Sequence, residues 1–160
     1  MSKMLLDENL ILKDVEATSA EEAIRLMAGN LFEKGIVKES YIEAIVEREK
    51  NFATGLPTKG YSVAIPHTDK EHVNEKAISV AILKEPVDFV IMGEESETTP
   101  VKLVFMLAMN ESHSQLELLQ RLMQIFQDDE VLHSLAHEES KTKIKDSLLQ
   151  LLNFQLKGGE

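Results

Sequence analysis

Along the chain, stretches whose apolar positions recur every three or four residues alternate with short runs of Val, Ile and Leu, a pattern that predicts helices interleaved with strands. Leu10, Ile11 and Leu12, followed by Lys13, Asp14 and Val15, read as a first strand. Ser19 and Glu22 have the spacing of a capping box and open a helix whose buried stripe is Ala23, Ile24, Met27, Leu31 and Phe32. Gly35 stands where a left-handed cap ends that helix. Ser40 and Glu43 repeat the capping spacing, and Ile42, Ile45 and Val46 carry a second helix to Arg48, near its end at a polar break by Asn51.

The run TGLPTKG, Thr54 to Gly60, is dense in turn residues. Tyr61, Val63 and Ile65 then alternate with Ser62 and Ala64 in the period-two pattern of a strand. Pro66 ends that strand because it has no N–H to donate, so His67 emerges at the strand's carboxyl end, in a loop. Ala77 to Leu83 and Val101 to Ala108 are apolar on both parities, as strands covered on two faces should be. Between them Val87 to Ile91 reads as a short edge strand and GEESET, Gly93 to Thr98, as a solvated loop. Ser114 and Glu117 form a third capping box, Leu116, Leu119, Met123 and Phe126 a buried stripe, and Ile144, Leu148 and Leu151 a last amphipathic helix. No repeat or linker divides the chain, so residues 1–160 are read as one α/β domain, a sheet with helices on both faces and a frayed tail at 155–160.

Composition narrows the function. The longest unbroken apolar run, Leu103 to Met109, is far too short to cross a bilayer, and the 43% hydrophobic content excludes disorder. A net charge of -11 argues against nucleic acid or anionic membrane as a partner, since both need a basic face. The absence of cysteine removes disulfides, thiolate metal sites and thiol nucleophiles, and MSKMLLDENL lacks the pattern of a secretory signal, so a cytoplasmic location is expected. No Gly-x-Ser-x-Gly elbow, phosphate loop or dinucleotide fingerprint is present.

Histidine chemistry remains, offered by His67, His72, His113, His133 and His137. His133 and His137 lie in a polar helical stretch and read as surface residues. His67 differs, because Thr68 and Glu71 have capping spacing and would start a short helix immediately after it, setting the imidazole at a helix mouth that favours an anion. Residues 48–84 carry a net charge of +2 while the remainder carries -13, and no acid occurs from Lys50 to Thr68. A competing metal reading uses His67, Asp69 and His72, but the two histidines diverge on a helix and further ligands must come from afar. No metal and no cofactor is expected.

ERE at Glu47 to Glu49, Thr54 with Gly55, and VAIPHTD at Val63 to Asp69 resemble, with the elements around them, the fructose, mannitol and galactitol class of enzyme IIA of the bacterial phosphoenolpyruvate-dependent sugar phosphotransferase system. GLPT at Gly55 to Thr58, EPVDFVIMG at Glu85 to Gly93 and QLELLQRLM at Gln115 to Met123 look most like the galactitol branch. The resemblance implies a three-layer domain with a mixed sheet of about five strands. It also implies a histidine, matched by His67, that takes phosphate from HPr on Nε2 and passes it to a cysteine of enzyme IIB, for uptake through membrane enzyme IIC. Arg48 matches the arginine expected near the phosphoryl group and Thr54 a family hydroxyl. Many relatives have a second histidine where Gln115 stands, so Gln115 or the nearby His113 is expected to assist. Two alternatives stay open: a regulatory module switched by phosphorylation, and a metal-dependent hydrolase.

Overall fold

The computed structural model describes residues 5–158, without the side chains of residues 112–114 and 153–158. Its spine is an antiparallel hairpin of two long strands, β4 (Ala77–Ile91) and β5 (Glu94–Ala108). In chain order the remaining elements are β1 (Ile11–Val15), α1 (Ala20–Glu33), α2 (Ser40–Asn51), β2 (Gly55–Leu56), β3 (Ser62–Ala64), α3 (Ser112–Ile125), α4 (Asp129–His137) and α5 (Lys141–Gly158). β1 lies parallel to β4, β3 lies parallel to β5, and β2 runs antiparallel to β3. A single pairing, Gly55 with Ile91, joins β2 back to the far end of β4. The result is one five-stranded mixed sheet.

Strand residues apolar on both parities bury both faces, and the two parities separate into two cores. Ala64, Ala81, Val104 and Met106 face α1 and α2, meeting Ile24, Met27, Leu31, Tyr41 and Ile45. Val63, Ile65, Phe105 and Leu107 face the other way, against Leu118, Leu122, Leu132, Leu135, Ile144 and Leu148 of α3, α4 and α5. The single three-layer domain expected from the sequence is therefore present.

Several local expectations are corrected. GEESET is no loop: Gly93, at φ 79, makes the tight turn, and residues 94–98 already belong to β5, while Val87 to Ile91 continue β4. The Ser40–Glu43 box does not form, because Glu39 is the N-cap, Ser40 Oγ lies 2.9 Å from His72 Nδ1, and Arg25 takes Glu43 at 2.6 Å. α3 starts at Ser112 with Glu111 as N-cap, three residues before the expected cap at Ser114. Its buried stripe is Leu118, Leu122, Ile125 and the adjacent Phe126, leaving Leu116 and Met123 exposed. LELLQRLMQIF is apolar on two helical faces, so periodicity does not choose between them. Phe32 likewise ends exposed on α1. The tail expected to fray overlaps the α5 backbone to Gly158, and residues 159 and 160 lie outside the described residues.

Other local readings hold. Ser19 Oγ caps α1 by accepting from the Glu22 N–H at 3.1 Å, and Gly35, at φ 75, follows the helix as a left-handed residue.

Gly55 is the tightest joint. A Cβ there would meet the Val90 carbonyl oxygen at 2.6 Å and Phe89 Cβ at 3.1 Å, so only glycine lets β2 approach β4. Gly55→Ala should cost about 1 to 3 kcal/mol, as overpacking does, and lower the urea midpoint. An unchanged midpoint would contradict this packing.

Candidate functional site

β3 ends at Ala64, but the chain stays registered beyond it. The Leu107 N–H donates to the Pro66 carbonyl at 3.0 Å, and His67 forms a bridge with Leu107, so His67 sits beside the carboxyl end of β5. From the helical layer Tyr41 donates its hydroxyl to the Leu107 carbonyl at 2.7 Å, tying α2 to the same point. His67 is half-buried. Its Nδ1 lies 2.8 Å from the Ile65 carbonyl, which only accepts, so Nδ1 carries the proton and Nε2 keeps its lone pair.

Arg48 stands in the last turn of α2, as the sequence predicts. Its guanidinium lies 4.9 Å from the centroid of the Phe52 ring and its Nη1 3.9 Å from Asp69 Oδ1, two residues past His67. Burial lowers the His67 pKa most; the Ile65 bond opposes it, the Arg48 charge adds to it and Asp69 opposes it again. Burial and the Arg48 charge thus favour the neutral ring.

Thr54 is buried, and its hydroxyl donates to Glu49 Oε1 at 2.8 Å while its N–H donates to Glu49 Oε2 at 2.8 Å. The one hydroxyl proton expected to serve a phosphate is thus held by Glu49. Burial raises the Glu49 carboxyl to about 7, against the pull of both Thr54 bonds. Glu49 stands beside Arg48 in the ERE run, and the sequence alone gives it no role of its own. The available signal was a carboxylate at a helix end five residues before a threonine.

A cleft of about 180 Å³ is lined by Thr68, Asp69, Lys70 and Glu71, which follow His67 in the chain, and by Glu111 and Gln115. Gln115 therefore shares a cleft with the residues that follow His67. The side chain of His113 lies outside the described residues. Glu111 pairs with the buried Lys76 at 2.6 Å, pinning the start of α3 to the start of β4. The helix mouth at His67 is corrected: after Asp69 the chain makes only one 3₁₀ turn, Lys70–His72, without a side-chain cap and with no long helix behind it. His72 turns to Ser40, and among the described residues no group of three or more His, Cys, Asp or Glu could hold a metal ion. His133 and His137 form a separate surface group with Tyr61, their own rings 4.2 Å apart.

The pKa shifts have opposite signs in stability. His67 binds its proton less readily when folded, so its contribution is lost as pH falls below about 6.5 through the folded value. Glu49 binds its proton more readily when folded, so its contribution is full below about 4.5 and lost as pH rises through about 7. Urea unfolding across pH 4 to 8 should show a flatter acid limb for His67→Gln and a flatter neutral limb for Glu49→Gln. Slopes identical to wild type would contradict both assignments.

Comparison with known proteins bears on what this arrangement is. The family model for the phosphoenolpyruvate-dependent sugar phosphotransferase system, EIIA 2, matches residues 4–151. The mannitol-specific phosphotransferase enzyme IIA component of Halalkalibacterium halodurans is 32% identical over 147 residues, covering 90% of this chain and 94% of that protein. The transcriptional regulator ManR of Bacillus subtilis is 39% identical over 99 residues, 62% of this chain, although the match spans only 14% of the regulator. A solved complex of mannitol enzyme IIA with phosphorylated enzyme IIB from Escherichia coli aligns with a TM-score of 0.72 at 30% identity, covering 94% of this chain and 98% of that one. The enzyme IIA relatives named here are mannitol-type, so the galactitol likeness gains no support. No helix among the described residues is long and apolar enough to cross a membrane. Family model, full-length relative and fold agree, and the chain belongs to the EIIA type 2 family of phosphoryl carriers of the phosphoenolpyruvate-dependent sugar phosphotransferase system.

Proposed function

We propose that His67 receives a phosphoryl group on Nε2 from HPr and hands it to a cysteine of enzyme IIB, in the cytoplasm, ahead of sugar or hexitol uptake through enzyme IIC. The observation that carries this reading is the 2.8 Å contact of Nδ1 with the Ile65 carbonyl, which leaves the Nε2 lone pair available. As Nε2 attacks phosphorus, the N–P bond forms while the donor's bond to phosphorus breaks and returns an electron pair to the donor. The second transfer reverses the sequence: the deprotonated cysteine thiolate attacks phosphorus, the N–P bond breaks with its electron pair returning to Nε2, and His67 regains its neutral imidazole. Nδ1 keeps its proton throughout.

Charge spreads over the phosphoryl oxygens in such a transfer, so positioning and neutralisation do most of the work. Arg48 is the cation assigned to that task, and its contacts with Phe52 and Asp69 support a fixed orientation. Charge-assisted hydrogen bonds contribute about 1.5 to 3 kcal/mol each, enough to favour transfer without trapping the phosphate. Gln115 offers amide N–H donors at the neighbouring cleft and is assigned the assisting role. Thr54 is assigned to shape the loop, through Glu49, rather than to touch phosphate. The mannitol names of the relatives support a hexitol substrate.

The likeness to ManR supports a second reading, in which phosphorylation governs binding of a regulatory partner. Phosphate adds a charge of roughly -1.5 to -2, sufficient to make or break an interface. Transfer to purified enzyme IIB by the phosphorylated chain favours the carrier reading, and retention of the phosphate beside IIB favours the regulatory one.

Incubation with phosphoenolpyruvate, enzyme I and HPr should add one acid-labile phosphate by intact mass, and His67→Ala should abolish it. Equal labelling of both proteins would reject the assignment. Arg48→Ala should keep its fold and slow phosphoryl exchange on the order of 10²-fold, the usual loss on removing one transition-state donor. Unchanged exchange would remove Arg48 from the mechanism.

A further inference from the structure

β2 has two residues, too few to hold itself in place, yet it carries one side of the frame around His67. The β2–β3 register pairs Gly55 with Ala64 and Leu56 with Val63. One step further, the Ile65 N–H donates to the Thr54 carbonyl at 3.4 Å. Thr54–Ile65 is thus one rung beyond the registered pairs of β2 and β3. Ile65 in turn presents the carbonyl that receives His67 Nδ1–H at 2.8 Å. At the other end of the relay, the two oxygens of Glu49 hold the Thr54 N–H and hydroxyl, both at 2.8 Å.

We infer that Glu49 is a positioning residue for phosphoryl transfer, acting through Thr54 and Ile65 to fix the tautomer and orientation of the His67 ring. Two contacts from one side chain, one on each Glu49 oxygen, hold Thr54 where a single contact would leave it free to pivot. Thr54 holds the Ile65 N–H on one side of the Ile65 Cα, which limits how the following Ile65–Pro66 peptide can turn, and the direction of its carbonyl decides which imidazole nitrogen carries the proton. The helix that supplies Glu49 also supplies Arg48, so one rigid element aligns both the nucleophile and the cation expected to meet the phosphate. Partial burial of Glu49 and full burial of Thr54 keep water from competing for these bonds.

The test has two arms, of which the kinetic arm rests on His67 being the phosphoryl acceptor and the spectroscopic arm does not. Long-range ¹H–¹⁵N spectra of the wild-type chain should show His67 mainly as the Nδ1–H tautomer. In Glu49→Gln, which keeps only one acceptor oxygen, and in Thr54→Val, which loses the hydroxyl, the Nε2–H tautomer should rise. The turnover for transfer from HPr should fall roughly tenfold in both, with KM little changed, as misorientation of a reacting group predicts. Thr54→Ser retains both donors and should restore tautomer and rate together. A folded Glu49→Gln chain with an unaltered tautomer overturns the inference, as does a rate loss without a tautomer change. Should Glu49→Gln fail to fold, the Thr54→Val and Thr54→Ser pair decides by the same two readouts. Absence of any phosphate on wild-type His67 would defeat the proposed function while leaving the tautomer result to judge Glu49.

Discussion

The hydrogen bond from His67 Nδ1 to the Ile65 carbonyl spans only two residues, yet most of the surrounding architecture bears on it. The bond needs Ile65 fixed in direction and His67 fixed in place. Ile65 is fixed by its rung to Thr54, and His67 by its bridge to Leu107. Leu107 is anchored in turn by the Tyr41 hydroxyl and by burial within the helical layer opposite. Ile65 and Pro66 divide the two supports between them: the Ile65 N–H faces Thr54 of the β2 side, and the next residue's carbonyl accepts from Leu107 of β5. With the proton held on Nδ1, the remaining nitrogen keeps its lone pair.

Electrostatics reinforce this geometry without overriding it. Burial and the Arg48 charge both disfavour a protonated ring, while Asp69 and the Ile65 carbonyl pull the other way. A neutral imidazole near a guanidinium is consistent with the proposed phosphoryl acceptor, which would have to take up a dianionic group and later release it. On that proposal Asp69 would limit how tightly Arg48 held the charge, since the guanidinium is already shared with it at 3.9 Å. The result is a balance suited to a carrier, whose affinity for phosphate must stay below that of a permanent site.

Much of this was legible in the sequence because it depends on residues with one strong physical preference. Pro66 announced the strand end, and the alternation of Val63 and Ile65 announced the strand. The two-faced apolar runs at Ala77 to Leu83 and Val101 to Ala108 announced a sheet covered on both sides, and the two cores bear that out. What the sequence hid involves partners distant along the chain or ambiguous in period. Ser40 looked like a cap but meets His72, thirty-two residues later. The apolar residues of α3 fit two faces, and only the neighbouring sheet selects Leu118, Leu122 and Ile125. The extension of β4 and β5 through polar residues reflects cross-strand pairing, to which hydrophobic patterning is blind. Glu49 escaped notice because its meaning depends on where Thr54 lies after folding.

The nitrogen that carries the phosphoryl group decides between this account and any other use of His67. ³¹P–¹⁵N coupling in the phosphorylated, ¹⁵N-histidine-labelled protein reads that nitrogen directly. The account predicts phosphorus bonded to Nε2 of His67, with the proton still on Nδ1. Phosphorus on Nδ1, or on any other residue, would contradict it.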